Sequence, residues 1–254
     1  ESSRRLVDLK KLDAMRIFLK KLDVKVYNGD YEVPVRLYFP TEEAMQRKLQ
    51  EPLDLPVLLG NDADCAAVGE FFCGAGQGTR DFVVVTLGTG IGGGIILDGK
   101  LRGGLASSEA GHLVICHDGE PCNCGRRGCW ERYASATGLI RLTREAMAAH
   151  PESALHALDA QGGVEGRTAF EAAQQGDETA LAVCRTYVSY LADGLVSLIN
   201  ILRPEVVAIG GGVAAAPDHL LLDPLREIVS RESFGCHGGR CTRVLRADLG
   251  NDAG

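Results

Sequence analysis

The segment Cys122-Asn123-Cys124-Gly125-Arg126-Arg127-Gly128-Cys129-Trp130-Glu131, with Ser108-Glu109-Ala110-Gly111-His112 just upstream, constrains this chain most. Three thiols and one imidazole fall within 18 residues, His112 to Cys129. Thiolate and neutral imidazole are preferred ligands of Zn²⁺, and four of them close a tetrahedral site. A closed site leaves no open position for chemistry. His112, Cys122, Cys124 and Cys129 are therefore expected to hold a structural zinc that fixes neighbouring polar groups, with the carboxylates of Glu109 and Glu131 on either side. The nine cysteines are an odd number, three clustered and the rest scattered. That pattern fits metal ligation in a reducing cytoplasm better than a disulfide framework.

The 254 residues allow one large domain or two modest ones. With 32 glycines and only 6% aromatics, the balance suits an α/β fold with tight turns near ligands. A net charge of −7 excludes general nucleic-acid binding, which needs a basic footprint. No apolar run approaches a membrane span, and residues 1–22 contain no uninterrupted signal-peptide core, so a cytoplasmic protein is expected.

Residues 1–45 differ from the rest. Leu6, Leu9, Leu12, Met15, Ile17, Leu19 and Leu22 interleave with Arg4, Arg5, Lys10, Lys11, Arg16, Lys20 and Lys21, which predicts a basic amphipathic helix. It either packs on its own domain or meets a membrane surface or partner. Val24–Tyr27 and Val33–Phe39, around Asn28-Gly29-Asp30, predict a β-hairpin. A short helix over Thr41–Gln50 and a buried strand at Pro56–Leu59 follow. Residues 46–80 then carry a helix over Ala63–Phe72. In 81–254, strands are expected at Phe82–Leu87, Gly94–Leu97, Val206–Ile209 and Arg243–Ala247. Helices are expected at Arg132–Ala149, Thr168–Gln175, Glu178–Leu202 and Leu220–Ser230, with 150–166 as loop.

Gly88-Thr89-Gly90-Ile91-Gly92-Gly93 matches G-x-G-x-x-G by letter, but strand and turn follow it, not a helix. It reads as strand–turn–strand. Its bare N–H groups, with the Thr86 and Thr89 hydroxyls, can line an anion concavity, or the segment is a glycine hairpin without a ligand. Gly210-Gly211-Gly212 follows a strand and precedes a helix. It is a Rossmann-type turn, a surface for a nucleotide base or ribose, or a closely packed strand–helix turn. Asp62 follows an apolar strand at a helix start. It is a candidate general base or, with Asn61, an N-cap.

Together these pieces resemble the ROK (repressor, open reading frame, kinase) family of sugar kinases, most closely its bacterial glucokinases, from about Met45 to Gly254. The C-x-C-G-x-x-G-C-x-E signature is met in full by Cys122 to Glu131. Leu87–Gly94 resembles the family's second phosphate loop, Ile209–Val213 its adenosine motif, Asn61-Asp62 its catalytic pair, and Leu249–Gly254 a segment before its C-terminal helix. The resemblance implies an actin-like ATPase (ribonuclease H-like) α/β fold of two lobes, here with an incomplete N-terminal lobe. It implies Asp62 as the base for a hexose 6-hydroxyl, with Asn61, Glu109, His112 and Glu131 on the other hydroxyls. It also implies ATP with Mg²⁺ at Gly88, Thr89, Gly90, Gly92, Gly210, Gly211 and Gly212, zinc at His112, Cys122, Cys124 and Cys129, and a homo-oligomer, dimer or tetramer.

The family's opening Asp-x-Gly-Gly-Thr phosphate loop has no counterpart here, and the chain stops before the family's last helix. A fusion, a misassembled reading frame or a fragment is expected, with weak phosphorylation of sugar. Ser108, Ala110, Asp64 and Trp130 also depart from the family's usual residues. Two other readings stand beside the kinase: a non-catalytic sugar-binding transcriptional regulator of the same family, and an NAD-dependent oxidoreductase using Gly210–Gly212.

Overall fold

Leu22, Val24 and Val26 alternate with Lys21, Asp23 and Lys25, a period of two that belongs to strand and not helix. In the computed structural model, β1 (Lys20–Asn28) accordingly pairs antiparallel with β2 (Tyr31–Phe39), from Lys20↔Phe39 to Asn28↔Tyr31. The expected hairpin is present. The amphipathic helix cannot run to Leu22, because Lys20–Leu22 already belong to β1; its remainder lies outside the described residues. The structure describes the backbone of these two strands and residues 61–102, 108–236 and 241–250. The helix expected at 41–50 and the strand at 56–59 fall outside them, as do residues 251–254. The chain divides into two units, Glu1–Gly60 and Asn61–Gly254.

The second unit is built on a sheet of order β5-β4-β3-β6-β7. It comprises β3 (Phe82–Leu87), β4 (Ile91–Leu97), β5 (Lys100–Leu101), β6 (Val206–Gly210) and β7 (Arg243–Arg246). β4 runs antiparallel to β3 and β5 to β4, while β3, β6 and β7 are parallel. This is the ribonuclease H-like arrangement. The unbroken run Phe82-Val83-Val84-Val85 is what a strand covered on both faces requires. Val83, Val85 and Leu87 enter a large core with Val207 and Ile209. Phe82 and Val84 join Val206, Ala208 and Ile96 beneath Ala66 and Ala67. Each fully buried aliphatic contributes roughly 1.5–3 kcal/mol.

The helices are α1 (Asp62–Cys73), α2 (Glu131–Ala134), α3 (Ala136–Ala149), α4 (Leu155–Gly162), α5 (Thr168–Gln174), α6 (Glu178–Leu202) and α7 (Leu222–Glu232). α6 starts at the Asp177 cap and ends where Arg203 turns left-handed (φ 51°) ahead of Pro204. It lays Tyr187, Leu191 and Leu195, all fully buried, into the large core.

Two helical expectations are corrected. The helix expected over 132–149 breaks at Ser135, whose extended backbone and side chain cap α3 by accepting the Gly138 N–H at 3.1 Å. The expected loop over 150–166 contains α4, which is short and buries essentially one residue, Leu155, so it leaves little periodic trace. Among the described residues no helix is long and apolar enough to cross a membrane.

Candidate functional site

The cysteine segment folds as a knuckle because two glycines let it. Gly125 has φ +88° and closes a turn onto the Cys122 carbonyl at 3.0 Å. Gly128 has φ +76°, and a Cβ there would lie 1.6 Å from the Cys116 carbonyl oxygen, so only glycine fits. Short bridges Pro121↔Arg127 and Val114↔Cys129 complete the knuckle. The ligand atoms of His112, Cys122, Cys124 and Cys129 all lie within 4.8 Å of one another.

Cys122 Sγ is 3.5 Å from His112 Nδ1, and Cys124 Sγ is 3.6 Å from Cys129 Sγ. A tetrahedral zinc with ordinary bond lengths spaces its sulfurs roughly 3.8 Å apart and a sulfur and nitrogen about 3.5 Å apart. The donor set and its spacing therefore fit that ion. All nine cysteines are free thiols. Burial, helped by the neighbouring thiols, pushes the Cys129 thiol up to about 12, while the Arg126 N–H holds Cys124 below the usual thiol range. A cation that binds here must displace protons.

With Nδ1 turned to the sulfurs, His112 Nε2 faces outward, 3.9 Å from Glu109 Oε2. Glu109 is exposed, and His112 sits on a single 3₁₀ turn, Ala110–His112. On the other side of the knuckle, Glu131 opens α2. Its Oε2 accepts the Ile91 N–H at 3.1 Å and fills the space a side chain at Gly90 would need. One segment thus joins the metal-type donors to the glycine turn.

That turn is shorter than expected. Only Gly88-Thr89-Gly90 lies between β3 and β4, closed by the Gly88 N–H donating to the Gly90 carbonyl at 3.0 Å. Gly92, expected in the phosphate loop, lies within β4 opposite Thr86. A Cβ on Gly92 would meet Ala63 at 3.0 Å, and one on Gly94 would meet Ala67 at 2.4 Å. Gly93, on the opposite face, would meet Ala110 at 2.8 Å. These three glycines let α1 and the Glu109 segment press onto opposite faces of one strand.

α1 begins at the predicted pair. Asn61 Oδ1 accepts the Ala63 N–H at 2.9 Å and the Asp64 N–H at 3.4 Å, and Asp62 Oδ1 accepts the Ala63 N–H at 2.8 Å. Asn61 is therefore the cap and Asp62 stands exposed in the first turn. Among the described residues, no hydrogen bond or ion pair joins Asn61 or Asp62 to Glu109, His112 or Glu131.

Gly210 pairs with Thr86, so the Gly210–Gly212 turn leaves the same end of the sheet as Gly88–Gly90. Gly211 has φ +82°, and a Cβ there would be 2.6 Å from the Leu87 carbonyl oxygen. Gly212 opens a 3₁₀ segment that runs to Ala215, and α7 starts only at Leu222. The Rossmann reading needs a helix directly after the glycines, so it is corrected, and the oxidoreductase reading loses its support. Ligands of open α/β sheets gather at such carboxyl ends of parallel strands. Sequence reasoning missed Ser135–Thr137, which grip the first glycine turn. The Ala136 N–H donates to the Gly88 carbonyl and the Thr137 hydroxyl to the Thr89 carbonyl, each at 2.9 Å. The Ser-x-x-Gly spacing of a helix cap was the available signal.

Residues 36–254 match the ROK family. The chain belongs to the ROK family. The glucokinase of Halalkalibacterium halodurans is 41% identical over 215 residues, 83% of this chain and 64% of that protein. The crystal structure of a ROK family glucokinase from Streptomyces griseus, in complex with glucose and AMPPNP, superimposes with a TM-score of 0.75 at 40% identity. It covers 83% of this chain and 69% of that one. A xylose repressor of Caldicellulosiruptor bescii is 31% identical over 73% of this chain and 47% of its own length. The actin-like ATPase fold is thereby shown for this ROK chain, which spans about two thirds of the length of the glucokinases it matches.

Proposed function

We propose that this chain takes part in ATP-dependent phosphorylation of a hexose, glucose at its 6-hydroxyl being preferred, in the cytoplasm and as a homo-oligomer. The observation that carries the reading is the single segment 109–131. It gathers the four metal-type donors, ends on a carboxylate bonded to the glycine turn, and lies in a chain about 40% identical to glucokinases.

In this reading zinc on His112, Cys122, Cys124 and Cys129 does no chemistry; it fixes the His112 ring so that Nε2 is presented at a set angle. Asn61, Glu109, His112 and Glu131 bind the sugar hydroxyls, directional partners that a polyol requires. Asp62 takes the proton of the reacting hydroxyl as its oxygen bonds to the γ-phosphorus of ATP and the bond from that phosphorus to the β–γ bridging oxygen breaks, releasing ADP. Gly88, Thr89 and Gly90 offer backbone and hydroxyl donors to the phosphates, and Gly210, Gly211 and Gly212 offer bare backbone to the nucleoside. Mg²⁺ accompanies ATP and offsets the charge of the transferring group. Gly92 serves helix–strand packing in this reading, not phosphate.

The 254 residues hold no Asp-x-Gly-Gly-Thr loop, and electrostatic stabilisation of the phosphoryl group is the main catalytic term. We therefore expect sugar and nucleotide binding with slow turnover. Metal analysis with calorimetric glucose titration, run on the intact chain and on His112→Ala, tests the site. About one zinc per chain and glucose binding, both lost in the variant, support it. A zinc-loaded chain that ignores glucose and ATP overturns it. Robust glucose-dependent ADP release in a coupled assay overturns the expectation of slow turnover. The xylose repressor similarity favours a second reading, a sugar-binding regulator, which predicts glucose or xylose binding without ATP binding.

A further inference from the structure

The glycine turn between β3 and β4 has one internal bond, Gly88 N–H to the Gly90 carbonyl, and its two glycines carry no side chain to anchor it. What holds it comes from the elbow between α2 and α3. Glu131 Oε2 accepts the Ile91 N–H, the Ala136 N–H donates to the Gly88 carbonyl, and the Thr137 hydroxyl donates to the Thr89 carbonyl. Three consecutive stations of the turn are therefore engaged by a segment at least 40 residues further along the chain.

The Thr137 contact is directional. Its hydroxyl gives its one proton to Thr89, so the 2.9 Å contact with Ser135 Oγ must take its proton from Ser135. Ser135 Oγ in turn accepts the Gly138 N–H that caps α3. The result is a relay from the α3 cap through two hydroxyls to the turn. Just before the elbow, Trp130 is fully buried and its Nε1 donates to the Tyr190 carbonyl of α6 at 2.9 Å. The elbow is therefore seated on α6 and reaches out to the turn. Thr137 itself is exposed, so its hydroxyl contributes positioning and not core packing.

We infer that Thr137 is a positioning residue for the Gly88–Ile91 turn, fixing with Glu131 the direction in which the turn presents its backbone N–H groups. That the turn receives phosphate rests on the function proposed above; that Thr137 orders the turn does not.

Amide hydrogen exchange on the intact chain separates the two. In Thr137→Val, which keeps the shape and removes the hydroxyl, the hydrogen-bonded turn amides of Gly88 and Ile91 exchange about fivefold faster, the worth of one hydrogen bond. Thr137→Ser restores them, and the amides of Val83–Val85 are unmoved in both. The melting temperature stays within about 2 °C, as for other exposed substitutions. Calorimetry with ATP and Mg²⁺ gives a Kd about fivefold weaker for the Val variant and rescue by Ser. Turn amides that exchange alike in wild type and Thr137→Val overturn the inference. A wild-type chain that binds no ATP while its turn amides still respond to Thr137→Val overturns the phosphate reading and leaves the positioning role standing.

Discussion

The indole of Trp130 occupies the space that a side chain at Gly194 would need: a Cβ there would lie 2.1 Å from the ring. A glycine in the middle of a 25-residue helix costs about 1 kcal/mol against alanine, so α6 tolerates a weak residue to admit a large one. Gly194→Ala should therefore destabilise by about 1–3 kcal/mol, overpacking outweighing the gain in helix propensity. In a Trp130→Ala background the same change should become neutral or stabilising. Urea denaturation of the four-member cycle measures the coupling.

Removal of the metal-type donors gives a second expectation. If His112, Cys122, Cys124 and Cys129 hold a structural ion, Cys124→Ser or dialysis against a chelator should lower the melting temperature by more than about 5 °C, because metal binding is folding free energy. Calorimetry with re-addition of Zn²⁺ should restore it. A melting temperature indifferent to chelator counts against the site.

Asp177 caps α6 and also accepts the Ala154 N–H and the Ser153 hydroxyl. Burial alone would raise its carboxyl, but the N–H groups of Ala180 and Ala154 and the Ser153 hydroxyl outweigh that and hold it below 3.8. A carboxyl depressed by folding stabilises above its unfolded value and loses that contribution as pH falls through the folded one. Asp177→Ala should cost about 2 kcal/mol at pH 7. The gap from wild type should hold at neutral pH and narrow as pH falls through the ordinary carboxylate range and on below it, when denaturation is followed from pH 7 to pH 2.

Glu70 is fully buried in α1, and its carboxylate accepts the N–H groups of Ala75, Asp248 and Leu249. Glu70→Gln replaces one acceptor oxygen with an amide that faces donors. The expected loss is about 2–3 kcal/mol. Limited proteolysis should show the stretch after β7 freed first.

The strands were legible where the pattern was local. Phe82–Leu87 and Val206–Ile209 are short apolar runs rich in β-branched residues and bounded by turns; the first folds as read and the second with Gly210 added. The knuckle was legible for the same reason, since its glycines and cysteines dictate one another at fixed spacing. What sequence hid is set by distant partners. Gly92 looked like loop because Ala63, which it admits, lies 29 residues earlier. The break at Ser135 hid inside an apolar helical period, because a cap competes with continuation through one hydroxyl. Asp62 and Asn61 were placed correctly at a helix start, but how the pair lies relative to Glu109 and Glu131 is a matter of packing that no spacing encodes.

All four donors of the knuckle sit between His112 and Cys129, whereas β6, the central partner of β3, begins at Val206. An ion that takes these groups closes only short loops, and short loops are entropically cheap. On the ribosome the knuckle can mature while the sheet still lacks β6 and β7. If the knuckle holds such an ion, its supply during translation, not afterwards, sets how much of the newborn polypeptide finds its register.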